Sequence, residues 1–404
     1  MSSTNSSNNF CSRFLFTSCS LPNLISIMLS RQVRSLASRS LVRNLVSRSA
    51  VSPGHQKDLS SGCNLSDSYD KMIDALTNDP VIESDLPDQV SYFRNMFKIN
   101  VTDGKMNRGN AVIQSFLSIR PSASSDDILS AHAVGWAVEV MQAGFLIADD
   151  IMDGSQTRRG RPCWYKVPSI GLMAVNDVIS CQTASYELIR HFVKHHPMFI
   201  PIQDLVTTCY RFTVLGQSMD TMTSPRPGDN PQLEKFTMTR YSTITKYKTA
   251  YYTISHPVRL GMYLGSLSDP LIHSEAERIF LSIGHFFQIQ DDFLDCFGDP
   301  QVTGKIGRDI EEGKCCWPVV VALSQCNPRQ LDLLKAHYGK DFHASLNKVK
   351  GLYADMGIEQ QYRSFEESEH TRLNQEIDAF VKKYPHVPRQ IFSNYLDKLF
   401  KRNK

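Results

Sequence analysis

An acidic pattern that occurs twice constrains this chain more than any other feature. Residues 145–165 read FLIADDIMDGSQTRRGRPCWY, and residues 287–300 read FQIQDDFLDCFGDP. Each copy sets an apolar lead-in against three carboxylates: Asp149, Asp150 and Asp153 in the first, Asp291, Asp292 and Asp295 in the second. On an α-helix, residues four apart share a face. Asp149 and Asp153 therefore project together, as do Asp291 and Asp295, while Asp150 points about 100° away. Two carboxylates so placed repel each other unless a cation sits between them. Hard oxygen ligands of this kind suit Mg²⁺, which takes one or two carboxylates and fills its octahedron with water and phosphate oxygens. Arg158 and Arg159 follow the first copy, and guanidinium forks bind diphosphate oxygens bidentately. Lys305, Asp309 and Lys314 follow the second. Two such clusters make sense if two helices face each other and grip one metal–diphosphate group from both sides.

The rest of the chain reads as helix. Residues 67–77 and 88–97 look helical, punctuated by Pro80 and Pro87. Apolar residues then recur with a 3.6-residue period over 130–152, 175–195, 203–220, 233–264, 274–297, 317–324 and 341–356. Alternating Val-, Ile- and Thr-rich runs of strand length are scarce, and the Gly/Pro break at 224–232 separates helices rather than hairpin strands. The pattern predicts an all-α protein built as one large helical bundle. No apolar run approaches the about 20 residues of a membrane span, so a soluble protein is expected.

Charge divides the chain. Up to Lys57 there are seven basic residues and no acid, whereas the remainder carries 37 basic against 41 acidic residues. That body charge suggests no nucleic-acid partner. The leader is Ser- and Asn-rich with six arginines, the composition of an organelle transit peptide. Residues 1–57 are accordingly read as a mitochondrial transit peptide or disordered leader and 58–404 as the catalytic domain. Met28 offers an alternative start, and a start further downstream implies a cytoplasmic protein. The ten cysteines lack CxxC or paired-ligand spacing and read as free thiols with no chemistry assigned.

Taken together, the motifs resemble those of the farnesyl diphosphate synthases, especially the animal-type members of the trans-isoprenyl diphosphate synthases. The likeness runs over about residues 68–404. It rests on GKMNRG (104–109), DDIMD with TRRG and CWY, GQSMD (216–220), KYKTAYY (246–252), FQIQDDFLDCFGDP, TGKIG (303–307) and the terminal KRNK. The resemblance implies an isoprenoid-synthase bundle around a central apolar cavity, a homodimer, and a prenyltransferase of isoprenoid biosynthesis using prenyl diphosphates. It implies three Mg²⁺ ions, with Mn²⁺ or Co²⁺ as alternatives, held by Asp149, Asp153 and Asp291. Asp150, Asp220, Asp292 and Asp295 would brace that shell, and Gln217 belongs to the same GQxxD motif. Lys105, Arg108, Gln142 and Arg159 would hold isopentenyl diphosphate. Arg158, Lys248, Thr249, Gln288, Lys305 and Lys314 would hold the allylic diphosphate, with Tyr252 lining the cavity beside the reacting carbons. The basic KRNK tail would close over the isopentenyl site.

The implied reaction joins isopentenyl diphosphate head-to-tail to dimethylallyl and geranyl diphosphate, giving mainly farnesyl diphosphate. Product length is where the chain departs from the pattern. Animal members place two Phe residues five and four positions before the first Asp; here those positions are Gly144 and Phe145. Losing a ring should deepen the apolar well unless another side chain refills it, so C15 is expected while C10 and C20 stay open. Asp103 stands where Gly is usual, and GRDIEEGKCCWPVV (307–320) departs through Arg308, Gly313 and Pro318. Pro318 is expected in a first helical turn. A terpene synthase that ionises a prenyl diphosphate without condensing it would have no use for Lys105, Arg108, Gln142 and Arg159. A non-catalytic partner subunit would show eroded aspartates, and all six are intact.

Overall fold

The computed structural model describes residues 64–225, 229–303 and 307–400. The leader, Lys305 and the terminal KRNK, each the subject of a sequence reading, lie outside the described residues.

The order begins with α1 (Tyr69–Thr77), α2 (Pro80–Asp85), α3 (Pro87–Val101), α4 (Asn107–Ile119) and α5 (Ser125–Asp153). A short hairpin of β1 (Thr157–Arg158) and β2 (Arg161–Pro162) follows, then α6 (Ala174–Val193), α7 (Phe199–Thr223) and α8 (Met238–Ile244). Next come a π-helical segment (Thr245–Ser255), α9 (His256–Leu264), α10 (Pro270–Phe297), α11 (Pro300–Thr303) and α12 (Asp309–Glu312). The chain closes with α13 (Trp317–Gln325), α14 (Pro328–His337), α15 (His343–Asp355), α16 (Ile358–Lys383) and α17 (Gln390–Leu399). This is the expected all-α bundle; among the described residues β1 and β2 are the only strands.

Burial explains the packing order. Helix α5 is central: Trp136, Val140 and Ile147 pack with Phe97 of α3, Phe116 of α4 and Leu188 of α6 in one apolar cluster. Helix α10 runs between two further clusters, one around Trp317, Tyr353 and Tyr362, the other around Phe280, Phe286 and Phe392. The described cysteines are unpaired, most of them buried, which agrees with their reading as packing residues.

Two sequence expectations need correction. Helix α5 is, by length and composition, apolar enough to cross a bilayer, contrary to the sequence reading. However, 78% of its most apolar window is buried inside the protein, so its apolarity serves the core. Residues 233–264 do not form one regular helix. Pro257 lies inside the run, where it cannot donate to Thr253 and crowds that carbonyl. The backbone immediately before it is widened into the π segment, the usual response to an interrupted ladder and a frequent mark of functional sites. Helices α2, α4, α11, α12, α14, α16 and α17 fall outside the ranges the period predicts; α16 alone spans 26 residues.

Candidate active site

Helix α5 starts in a capping box. Ser124 Oγ accepts from the Asp127 N–H while the Asp127 carboxylate accepts from the Ser124 N–H. It stops at Gly154, which takes φ 67°. Its last two turns hold Asp149, Asp150 and Asp153, and its last turn has no base. Helix α10 ends in the same way with Asp291, Asp292 and Asp295. The C-terminus of a helix is the negative pole of its macrodipole, so carboxylates there are locally unfavourable. Both ends therefore call for compensating partners.

At the first end such partners are in place. Lys248, on the π segment, reaches Asp149 Oδ1 at 3.3 Å and Asp220 Oδ2 of α7 at 2.5 Å. Lys314 reaches Asp153 Oδ2 at 2.6 Å, and Gln217 Nε2 donates to Asp149 Oδ1 at 2.8 Å. Burial pushes the Asp149 carboxyl up, but Lys248, Lys314 and Arg158 outweigh it and hold it below its ordinary value. Asp153 is raised, by burial and by the like charge of Asp149, against the pull of Lys314. Burial opposes the charge on Lys248, yet Asp220 and Asp149 raise its pKa well above the lysine range. The repulsion that the spacing predicts between the two carboxylates thus falls on Asp153, while Asp149 is stabilised by the cations around it.

Asp150 is buried on the other side of α5, where Arg158 grips it through Nε at 3.1 Å and Nη2 at 2.6 Å. The hairpin explains how adjacent arginines serve different places. Its two turn residues, Arg159 (φ 53°) and Gly160 (φ 74°), both have positive φ, as a type I′ turn requires. Arg158 on β1 points back to Asp150, with Nη2 3.6 Å from Asp149. Arg159 turns toward the 104–109 loop, so near that a Cβ on Gly104 would sit 3.1 Å from its Nη2.

That loop holds the second cationic group. Met106 adopts φ 50°, so two of the three non-glycine residues with positive φ among the described residues lie here. Such conformations persist where the surroundings enforce them and gather at functional sites. Lys105 is exposed. Arg108 faces inward: Nη1 donates to Gln142, Nη2 donates to Tyr252 Oη at 3.0 Å and Thr253 Oγ1 at 2.8 Å, and the guanidinium lies 4.4 Å over the Tyr252 ring. Gln142 therefore meets the site through Arg108. Buried Glu139, which no motif singled out, accepts from the Gly109 N–H at 2.7 Å and ties the loop to α5. Its signal was a lone acid inside the apolar run of α5. The unusual Asp103 is answered by Arg161 at 3.5 Å.

The second acidic end divides its acids between two tasks. Asp292 is buried and accepts from Tyr241 Oη at 2.7 Å, Gln288 Nε2 at 2.7 Å and the Trp317 N–H at 2.9 Å. Burial raises its pKa to about 7 against those bonds. It anchors α10 to α8 and α13, and it engages the amide of Gln288. Asp291 and Asp295 are half-buried, and Asp295 accepts from the Asp309 N–H at 3.0 Å. Glu312, also absent from the sequence reading, has its pKa raised by burial, with the charges of Asp153 and Asp295 adding to that. The segment around it bridges the two motifs, since Asp309 bonds Asp295 and Lys314 pairs with Asp153. Arg308 pairs with Glu312 at 3.6 Å and Asp341 at 3.8 Å, while Pro318 lies in the first turn of α13 as expected.

A cavity of about 420 Å³ opens below Asp149 and Lys248, lined also by Phe145, Gln217, Thr249 and Tyr252. A larger one of about 510 Å³ is lined by Asp150, Arg158, Arg159, Leu146, Ile147 and Trp164, among others. Asp149 and Lys248 line the smaller well and not the larger, so the smaller well is the candidate active site; Asp153 lines neither and meets Lys314 beside it. Gly144 lines neither; it packs against α6, where a Cβ would stand 3.0 Å from Cys181 Cβ. The residue set fits Mg²⁺. Among the described residues no three His, Cys, Asp or Glu side chains form a ready-made metal cage, but a pair of hard carboxylates on one helical face beside lysines suits an ion that takes few protein ligands.

Comparison with known proteins identifies the family. The family model for Polyprenyl synthetase matches residues 90–356. The chain is 36% identical over 338 residues to a Bos taurus farnesyl pyrophosphate synthase, covering 83% of this chain and 94% of that one. It is 39% identical over 341 residues to a Dictyostelium discoideum farnesyl diphosphate synthase, covering 81% and 87%. A T. brucei farnesyl diphosphate synthase solved in complex with risedronate superposes with TM-score 0.75 at 29% identity, over 84% of this chain and 99% of that one.

Proposed function

The chain belongs to the polyprenyl synthetase family and, within it, to the farnesyl diphosphate synthases, and from that premise we propose that it condenses isopentenyl diphosphate with dimethylallyl and then geranyl diphosphate, giving mainly farnesyl diphosphate. One observation carries the two-substrate reading. Beside the neutralised acid–lysine lattice of the well stands a second cationic group, and among the described residues neither Lys105 nor Arg159 makes an ion pair. Two diphosphates have two places to go. A lyase would need only the first.

In this reading the allylic diphosphate lies at the mouth of the well between Lys248, Lys314 and Arg158. Asp149, Asp153 and Asp291 would hold Mg²⁺, with three ions implied by the family likeness. Bound there, the metal supplies Lewis-acid neutralisation of the leaving diphosphate. Lys248 and Arg158 add fixed positive charge at the bridging oxygen as the C–O bond breaks, which is stabilisation aimed at charge that develops in the transition state. Asp220 and Asp150 keep those two side chains in place. Lys105, Arg108 and Arg159 hold the diphosphate of isopentenyl diphosphate so that its double bond faces the cationic carbon. Arg108 also touches Tyr252 and Thr253, so one side chain ties the nucleophile's site to the wall of the well. The proton lost at the end goes to the departing diphosphate; no side-chain base is required.

A homodimer belongs to the same proposal, supported by the exposed apolar side chains of Val175 and Ile179 on α6 and Leu215 on α7. The test is incubation of purified protein with Mg²⁺, isopentenyl diphosphate and dimethylallyl or geranyl diphosphate, followed by product analysis. Farnesyl diphosphate as the chief product is expected. Ionisation of geranyl diphosphate without incorporation of isopentenyl diphosphate would refute the assignment in favour of a lyase.

A further inference from the structure

Position 144 offers no room for the ring that the sequence lacks. A Cβ there already stands 3.0 Å from Cys181 Cβ and 3.4 Å from the Val178 carbonyl oxygen, because α6 lies directly against it. The volume of a missing ring is thus taken by α6 itself, and the well is not deepened on that side. What closes the well has to come from another element.

Helix α7 provides it. Asp220, Gln217, Thr213 and Tyr210 recur at three- and four-residue intervals and so line one face of this helix. Gln217 and Thr213 both border the well. Tyr210 is one turn beyond Thr213, about 15 Å of helix from Asp220. Its ring meets Phe145, four residues before Asp149 on α5, edge-on at 5.4 Å between centroids. Phe145 in turn meets Tyr252 of the π segment at 5.6 Å, and Tyr186 of α6 backs Tyr210 at 5.5 Å. Rings from α5, α6, α7 and the π segment therefore meet below the acidic lattice. Tyr210 is 8% exposed, and its hydroxyl has no hydrogen-bond partner among the described residues. Its place is set by packing of the ring.

We propose that Tyr210, supported by Tyr186, is the floor of the well and the side chain that stops chain growth at C15, standing in for the ring absent at position 144. The inference rests on the prenyltransferase reading given above. In a close-packed interior the free length below the diphosphate is fixed by the first side chain that cannot give way. Tyr210 cannot withdraw, because Tyr186 stands behind it and Phe145 lies across it. A farnesyl tail ends against these rings, and addition of a further isoprene unit would drive it into them. Each methylene admitted or refused by an apolar pocket shifts discrimination on the order of tenfold or more.

The test is a size series at position 210 in the full-length protein: Tyr210→Phe, Tyr210→Leu and Tyr210→Ala, with Tyr186→Ala alongside. Each is incubated with dimethylallyl diphosphate and excess isopentenyl diphosphate and assayed for the C20-to-C15 ratio, with folding checked by circular dichroism. The ratio is expected to stay at the wild-type value in Tyr210→Phe, to rise in Tyr210→Leu, and to rise on the order of tenfold or more in Tyr210→Ala. A smaller rise is expected for Tyr186→Ala, which loosens the floor without removing it. A C20-to-C15 ratio indifferent to side-chain size at 210, in whichever of these variants fold, overturns the proposal. Failure of the wild type to incorporate isopentenyl diphosphate at all would instead overturn the reading on which it rests, and the wild-type control separates the two.

Discussion

Gly216, the first residue of GQSMD, is where packing and catalysis meet most closely. A Cβ added there would stand 2.2 Å from the backbone nitrogen of Lys248 and 2.7 Å from its Cα. These are backbone atoms, so no rotamer change relieves the clash. Restoring ordinary contact at 3.4 Å requires α7 and the π segment to part by about 1.2 Å. Overpacking of this kind costs about 1–3 kcal/mol, which a domain with about 5–15 kcal/mol of stability survives. Lys248 is the residue displaced, and it holds Asp149 and Asp220 together. A misplacement of about 1 Å in a catalytic group costs about 10²-fold in rate, or about 2.7 kcal/mol of barrier. Gly216→Ala is therefore expected to remain folded at 25 °C with a modestly lower Tm, and to lose about 10²-fold in kcat with geranyl diphosphate as allylic substrate. Gly261→Ala is the control. A Cβ there also meets backbone, 2.5 Å from the Val112 carbonyl oxygen, but in the α4–α9 contact away from the acidic ends. It should lower Tm and leave kcat per folded molecule near wild type. Equal losses of kcat in the two variants, or no loss in Gly216→Ala, would refute the displacement of Lys248 as the cause.

Further outcomes follow from the same geometry. Asp149→Ala or Asp291→Ala should reduce chain elongation by a factor on the order of 10²–10³ while the far-ultraviolet circular dichroism is unchanged; undiminished turnover in either would place the chemistry elsewhere. Lys105→Ala and Arg159→Ala each remove a charge-assisted contact of about 1.5–3 kcal/mol. KM for isopentenyl diphosphate should rise on the order of 10- to 100-fold, with KM for geranyl diphosphate little changed; equal shifts in both constants would dissolve the distinction between the two cationic places. Residues 1–57 fused to a fluorescent protein are expected to direct it to mitochondria, and a diffuse cytoplasmic signal would remove the transit-peptide assignment.

What the sequence made legible was whatever repeats locally. The 3.6-residue period found α5, α6, α7 and α10, because each buries a continuous apolar stripe. The acids on one face were visible because spacing alone decides which side chains share a face. Helix α16 escaped because its sequence, IEQQYRSFEESEHTRLNQEIDAFVKK, buries only a thin line of Ile358, Tyr362, Leu373, Ile377 and Phe380 among charges. Helix α4 escaped because it begins inside GKMNRG, which reads as a turn, and turns into a helix only after Met106. The π segment could not be read from period, since its cause is one proline after it. Above all, pairings between distant elements were invisible: Lys248 with Asp220, Lys314 with Asp153, and Arg108 with Tyr252. Sequence spacing assigns a side chain to a face, but tertiary contact decides what faces it.

The same limit explains why the two acidic motifs differ in use although they look alike. In each, the second aspartate points away from the shared face, and burial gives it a structural partner: Arg158 for Asp150, and the Tyr241, Gln288 and Trp317 group for Asp292. Those bonds fix the rotation of α5 and of α10 about their axes. Rotation is what aims the remaining carboxylates, because a turn of the helix moves every side chain on that face together. The middle aspartates therefore set the direction in which Asp149, Asp153, Asp291 and Asp295 point, and they do so at helix ends where the macrodipole would otherwise expel negative charge. A site that breaks a local rule twice, once compensated from the adjoining hairpin by Arg158 and once by Tyr241 and Trp317 from further along the chain, is one in which the broken rule serves function. Carboxylates held in a fixed direction, with Asp149 at the mouth of an apolar well, are the arrangement that the proposed ionisation of an allylic diphosphate calls for.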